Sequence, residues 1–438
     1  ISEEPFFEPL RKAVDNLKIR LSYGSLGNQQ IGYYDFIQTI TTKGSMSDYS
    51  FDGTVLGQHA TVSDPVSGDQ TWEKVVSKNL GLDLNMFNNR LSLTTDFYIR
   101  DTKGILGKGK SLPSIYGASE PQMNANNLRT KGYELVLGWR DSFKLAGSTF
   151  SYGITGTFSD YTAEYTKCDN PTGLIGDPYV GKKYGEIWGY KVDGLFRNDK
   201  EAAEYASRID LSTVASGYYT ATGAYGKGVR GGDIKYLDLN GDNIVNGGKG
   251  TLDDPGDRRV IGNSSPRYQY GASLNFSWYG FDVSVFMQGI GRLDWYPGAD
   301  NLRFWGPYCR PYATFVPKNF MSQVWSEENP DAYFPRARAY TSLNSNSGTA
   351  YYTNDRYLQN LAYCRLKNLT IGYTIPRRLT SKVGIKECRI YFSGENLATW
   401  SALKSDFLDP EQAAADSDKK ANVYPWCKTY SIGLNLTF

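Results

Sequence analysis

Histidine is almost missing from this 438-residue chain, which has only His59. That single absence removes most routes to catalysis. An HExxH metal site needs two histidines, and a Ser-His-Asp or Cys-His arrangement would have to centre on His59. His59 stands in Gly57-Gln58-His59-Ala60 with no nucleophile motif beside it, and reads as an exposed loop residue. Cysteine is also scarce. Cys168, Cys309, Cys364, Cys388 and Cys427 show no CxxC spacing. They read as buried or incidental thiols, with one disulfide still open in an oxidising compartment. No run of about 18 apolar residues exists, so a transmembrane helix is excluded. Nor is there a charge excess. The net charge is +2 with no long basic block, so nucleic-acid binding has no electrostatic support. Carboxylates are plentiful, but nothing places two together as a glycosidase pair. The chain opens on Ile1 without a signal peptide. A longer, exported precursor is therefore expected.

Aromatic residues and glycine are abundant: 34 Tyr, 20 Phe, 9 Trp and 46 Gly. Tyrosine in this quantity suits surfaces with one apolar and one wet side. The mean hydropathy is −0.48. That value is compatible with a membrane β-barrel, whose strands need only ~9–11 residues and turn half of them to a polar lumen. The last nine residues fit such a strand. Tyr430, Ile432, Leu434, Leu436 and Phe438 alternate with small or polar residues, which puts one face in an apolar medium and the other in water. The pattern recurs. Leu17, Ile19, Leu21 and Tyr23 alternate with Lys18, Arg20, Ser22 and Gly24, and similar runs follow around 80–84, 91–99, 133–139, 150–158, 270–278, 281–287, 369–375 and 390–392. About ten strands of roughly 10–14 residues are predicted. Trp139 and Trp278 lie on the apolar stripe, where an interfacial girdle would sit.

The connections fall into two alternating classes. Short ones lie around 86–90, 141–148, 279–280 and 376–386. Long ones cover 28–72, 103–130, 164–267, 291–360 and 399–427. Outer-membrane barrels have short periplasmic turns and long extracellular loops. A compact soluble domain rarely carries five long structureless loops. The fold class is therefore all-β: an antiparallel transmembrane β-barrel, or roughly half of one, in the bacterial outer membrane. Phe438 would end on the periplasmic side. A secreted β-rich adhesin or glycan-binding module is the alternative, and a surface glycosidase the third reading.

Several motifs carry a resemblance. They are "WEKVVSKNLGLDLNMFNNRLSLTTDFYIRDTKGIL" at 72–106, "NANNLRTKGYEL" at 124–135 and "GEIWGYKVDGLF" at 185–196. "GDIKYLDLNGDNIVN" at 232–246, "DRRVIGNSSPRYQYG" at 257–271, "LKNLTIGYTIP" at 366–376 and "GENLATWSALKSDFLDPE" at 394–411 continue the series. In this order, and with the stretch from Ile1 to Gly32, they resemble the SusC/RagA-like TonB-dependent outer-membrane transporters along the whole chain. The resemblance implies a barrel of about 22 strands, of which residues 1–438 form the C-terminal part. It implies a plug domain and a TonB box upstream, energised import, and a SusD-like surface lipoprotein as a lid. The implied cargo is oligosaccharide or oligopeptide. A terminal aromatic such as Phe438 resembles the signal read by the membrane-insertion machinery.

Two loop features suggest ligands. Asp238, Asn240 and Asp242 at positions 1, 3 and 5, with the Ile244 carbonyl at position 7, resemble the start of a calcium loop. Lys249 at position 12 rules out a true EF-hand, and Asp253, Asp254 or Asp257 is a candidate substitute. The competing reading is an Asx-rich turn satisfying its own backbone. A cation here would stiffen the loop, and no other cofactor is expected. Trp188, Trp305, Trp400 and Arg303 are candidate contacts to substrate or lid, although packing accounts for most loop tryptophans. Arg292, Arg310, Arg336 and Arg338 read as a solvated loop surface or as contacts to an anionic partner.

Overall fold

The computed structural model describes residues 3–29, 37–43, 59–68, 70–108, 113–219, 228–310, 312, 314, 316–338, 342–343, 348, 350–405, 407–415 and 424–438. Ten long strands form one sheet. They are β1 (Val14–Asn28), β2 (Glu73–Met86), β3 (Leu91–Lys108), β4 (Gln122–Leu145), β5 (Ser148–Lys167), β6 (Arg267–Trp278), β7 (Phe281–Arg292), β8 (Tyr363–Thr374), β9 (Glu387–Ser401) and β10 (Thr429–Thr437). Each pairs antiparallel with the next strand in sequence. Among the described residues, β1 and β10 each keep one edge without a strand partner.

The register explains the alternation. One row runs Met86, Leu91, Trp139, Ile154, Leu274, Val285, Leu369 across β2 to β8. The next runs Tyr152, Phe276, Val283, Ile371, Phe392, Ile432 across β5 to β10. Apolar residues thus share one face from end to end, and that face is open: Leu21 is 79% exposed and Ile432 84%. A contiguous apolar face of this extent marks a surface built for another apolar phase or partner. The opposite face is polar and cross-linked. Arg20 of β1 forks onto Asp83 of β2 and Asp96 of β3. Arg389 on β9 pairs with Asp282 on β7.

The short connections sit at one end, and their backbone shows why. Ala146-Gly147 and Tyr279-Gly280 have positive φ at both positions, as two-residue hairpin turns matching the strand twist require. Phe87, Asn88 and Asn89 are all left-handed, and the Asn89 amide donates to Asp15 at 2.7 Å. Rings gather around the turns at 146–147 and 279–280. Phe143, Phe150, Tyr152 and Phe276 interleave, and Trp278 Nε1 donates to the Leu145 carbonyl. The expected connection at 141–148 shrinks to two residues because β4 and β5 pair almost to their tips.

Two expectations change. Strand lengths reach 18, 20 and 24 residues in β3, β5 and β4, well beyond ~10–14. Pairing continues past the apolar stretch, where alternation gives no signal. The long connections are also folded rather than structureless. They contain strand pairs Glu186–Tyr190 with Arg258–Asn263, Val192–Leu195 with Ile234–Tyr236, and Asp294–Trp295 with Gln359–Asn360. A capped helix spans Asp199–Ala206, with Asn198 accepting from the Glu201 amide. The main hydrophobic core lies here. Phe196, Leu211, Val214, Tyr218, Tyr236, Val245, Trp305 and Tyr357 are essentially without exposed surface. The sheet has no second layer, so its strands supply little core.

Candidate functional site at the loop cap

The loop cap begins where long connections meet the upper strands. Arg365 of β8 is 1% exposed. Its guanidinium grips Asp409 through Nη2, Glu411 through Nη1 at 2.7 Å and Thr399 through Nε at 2.9 Å. Lys367, two residues along the same strand face, reaches Glu411 at 2.9 Å. The acidic pair is placed by local sequence chemistry. Asp409 accepts from the amides of Glu411 and Gln412, and Pro410 opens the short helix Pro410–Ala415, as Pro does at a first helical position. The network pins the connection after β9 onto β8 and β9. A buried guanidinium is costly unless its fork is filled, and here two carboxylates and a hydroxyl fill it.

Deeper in the cap lies a second buried pair. Arg338 Nη1 meets Asp233 Oδ2 at 2.6 Å, and both side chains are almost fully buried. The Arg230 amide also donates to that oxygen, and the Arg338 guanidinium lies 4.1 Å from the Tyr218 ring centroid. Burial pushes the Asp233 carboxyl up to about 6 despite its cationic partner. Around this pair the phenols of Tyr236, Tyr296 and Tyr357 are held far above their ordinary range by burial. Asn354 ties them together, donating to Tyr296 Oη at 3.0 Å and to the Tyr352 carbonyl at 2.8 Å. None of the five cysteines is in a disulfide, and burial raises Cys309 to about 11. Among the described residues, these buried groups pack and bond within the cap.

The candidate contacts end up in different places. Trp305 has no exposed surface. It packs against Phe304, Tyr357 and Tyr296, and its Nε1 donates to the Gly298 carbonyl. Its expected surface role is corrected to core packing, because an indole buried in the cap cannot touch a partner. Arg303, on the same short helix Leu302–Trp305, stays partly exposed and leans toward the Phe407 carbonyl at 3.5 Å. Trp188 lies in the Glu186–Tyr190 strand opposite Val260. Trp400 is exposed on β9 opposite Cys364. Phe438 is exposed just past β10. The remaining loop arginines are paired, and Arg292 and Arg310 stay largely exposed to solvent. Arg292 pairs with Asp294 at 2.9 Å, Arg310 with Asp300 at 3.8 Å, and Arg336 with Asp199 at 3.2 Å.

The Asp238–Ile244 loop caps itself. Asp238 accepts from the Gly241 and Asn243 amides, Asn240 from Asp242, and Asp242 from Ile244. Asp257 is fully buried and accepts from Leu239 at 2.7 Å and Asn246 at 2.9 Å. These are Asx-turn bonds of the kind the competing reading anticipates. Among the described residues, no three His, Cys, Asp or Glu side chains converge on a common metal position.

Sequence reasoning singled out neither Arg365 with its acidic partners nor the pairing of Arg338 with Asp233. The Asp409-Pro410-Glu411 run carries a recognisable helix-start signature, but its partner lies 44 residues away, beyond any local pattern.

No family model matches the chain. Curated proteins do. The TonB-dependent receptor P26 of Formosa agariphila is 27% identical over all of this chain and 41% of its own length. The TonB-dependent receptor SusC of Bacteroides thetaiotaomicron is 22% identical over all of this chain and 39% of its own. The chain is thus similar along its whole length to TonB-dependent receptors, SusC among them. Among solved structures, that of the RagAB peptide transporter superposes with a TM-score of 0.68 at 22% identity, over 98% of this chain and 41% of the other. The RagAB peptide importer in its "open-open" state gives 0.65 at 21%. The chain spans about two fifths of the length of these relatives.

Proposed function

We propose that the chain is the C-terminal wall and mouth of an outer-membrane importer energised through TonB. The observation that carries this reading is the ten-strand meander, with one apolar face exposed along its whole width and every long connection gathered at one end. An apolar face of that kind belongs against lipid, and a charged, cross-linked face belongs against a polar lumen. The unpaired edges of β1 and β10 would be closed by further strands of the same protein, giving a barrel of about 22 strands. A plug and TonB box would come from the remaining length. The cap, folded on its own core, would hold a rigid rim against which a SusD-like lipoprotein closes, with Arg303, Trp188 and Trp400 as rim contacts. Oligosaccharide or oligopeptide is the cargo class. The chain does no covalent chemistry in this reading. A structural calcium ion on the Asp238–Asp257 loop is a separate proposal, tested by whether calcium raises the melting temperature and Asp242→Asn removes that rise.

The test is uptake by cells making the whole receptor and its lipoprotein. Growth on an oligosaccharide or peptide that requires both the receptor and TonB supports the proposal. Receptor-dependent growth that persists without TonB overturns it. Oligosaccharide and peptide arms then separate the two cargo classes.

A further inference from the structure

We propose that the cleft between the Glu186–Tyr190 strand and the Gly247–Gly250 turn is a subsite for an acidic sugar, one pyranose unit bearing a carboxylate. The inference deepens the import reading by naming a substrate class, and it rests on that reading only for the route the sugar takes. The cleft encloses about 320 Å³, at the small end of the ~300–1,000 Å³ typical of small-molecule sites. Trp188, Tyr190 and Tyr352 supply aromatic surface, Arg258 and Lys249 supply positive charge, and no carboxylate lines it.

Arg258 is the telling residue. It is half-buried beside the cleft, and its guanidinium donates from Nη2 to the Gly247 carbonyl at 2.8 Å, with no carboxylate among its hydrogen-bond partners in the described residues. Its Nε is buried without a partner. A guanidinium has five donors in a fixed fork and no acceptor, and buried cations are ordinarily matched by anions. The deeply buried Arg338 of the same cap has its aspartate. Arg258 therefore has donors to spare for a ligand, and a planar carboxylate fits the fork. The turn is shaped around it. A Cβ at Gly247 would come within 3.1 Å of the Arg258 guanidinium and one at Gly250 within 3.0 Å, so glycine lets the group lie along the turn. The aromatic rings can stack on the apolar C–H face of a pyranose while the guanidinium takes its carboxylate. A neutral sugar would leave the charge unmatched.

The test uses the full-length receptor with its lipoprotein in detergent, titrated calorimetrically with trigalacturonate, with maltotriose, and with a tripeptide bearing a free carboxylate. Trigalacturonate should bind, more weakly as salt rises. Arg258→Gln should weaken it about tenfold or more, the loss of a charge-assisted bond, and Trp188→Leu should weaken it as well. Lys249→Gln, on the glycine turn, gives a smaller loss in a variant that leaves the Gly247 bond intact. Unshifted gel mobility of unheated samples checks folding. No trigalacturonate binding, equal binding of maltotriose, stronger binding of the tripeptide, or an affinity indifferent to all three substitutions overturns the subsite. TonB-dependent uptake of some other cargo would survive any of these results, so failure of the subsite and failure of the import reading remain distinguishable.

Discussion

Replacing Arg365 with Met is the sharpest perturbation of the cap. The guanidinium is 1% exposed and holds two carboxylates, of which Asp409 is 10% exposed at its side chain and Glu411 27%. Removing one partner of a buried pair costs ~3–5 kcal/mol, because the remaining charge stays buried. Two features reduce that here. Lys367 remains on Glu411, and the partial exposure of Glu411 lets water screen it. A loss of roughly 2–3 kcal/mol for docking of the 402–415 connection follows, which raises its released fraction about 30- to 150-fold. Trypsin reads this out, since Lys404 lies in that connection. When opening and reclosing are fast relative to cleavage, the rate tracks the open population. Arg365→Met should therefore be cut tens of times faster, with strand pairing and gel mobility unchanged. Arg365→Lys should fall between, keeping the charge without the fork. Wild-type cleavage rates in Arg365→Met would refute the assignment of this network as the anchor.

Asp233 gives a pH prediction of unusual sign. Its folded carboxyl is raised to about 6 from 3.8, so between those values the folded state binds more protons than the unfolded one. Stability from this group is then greatest at the acid end and falls as pH rises through about 4 to 6; Asp233→Asn should flatten that slope in cap melting. Gly280 has φ +84°, and a Cβ there would lie 2.7 Å from the Thr374 carbonyl. Gly280→Val should destabilise the β6–β7 hairpin by ~1–2 kcal/mol or more, lowering the temperature at which unheated gel mobility is lost. Deleting Phe438 should lower the fraction of receptor that assembles in the membrane; undiminished assembly would remove its role as an insertion signal.

The sheet was legible because its chemistry is periodic. Leu17, Ile19 and Leu21 announce β1, and Tyr279-Gly280 announces the β6–β7 turn, since both signals are local. The upper halves of β4 and β5 were hidden. Residues such as Asn126, Asn127 and Lys167 pair with neighbours without alternating in hydropathy. The cap was hidden for another reason. Its core joins Phe196, Trp305 and Tyr357 across more than 150 residues, and its buried charged pair, Asp233 with Arg338, spans 105. Trp305 shows the consequence: a tryptophan in a connection looks like a contact until the packing around it is known. The calcium-like spacing at Asp238–Asp242 is similar, because the same oxygens serve an Asx turn or a cation.

The central claim is that the alternating apolar face meets lipid while its partner face lines a lumen. Single cysteines placed in turn at Ser273, Leu274, Asn275 and Phe276 of β6, in a receptor with its native cysteines replaced, test this in native membranes. A water-soluble maleimide should label positions 273 and 275 and spare 274 and 276, while a membrane-partitioning reagent should show the reverse. Equal labelling of all four by the water-soluble reagent would contradict the membrane-wall account.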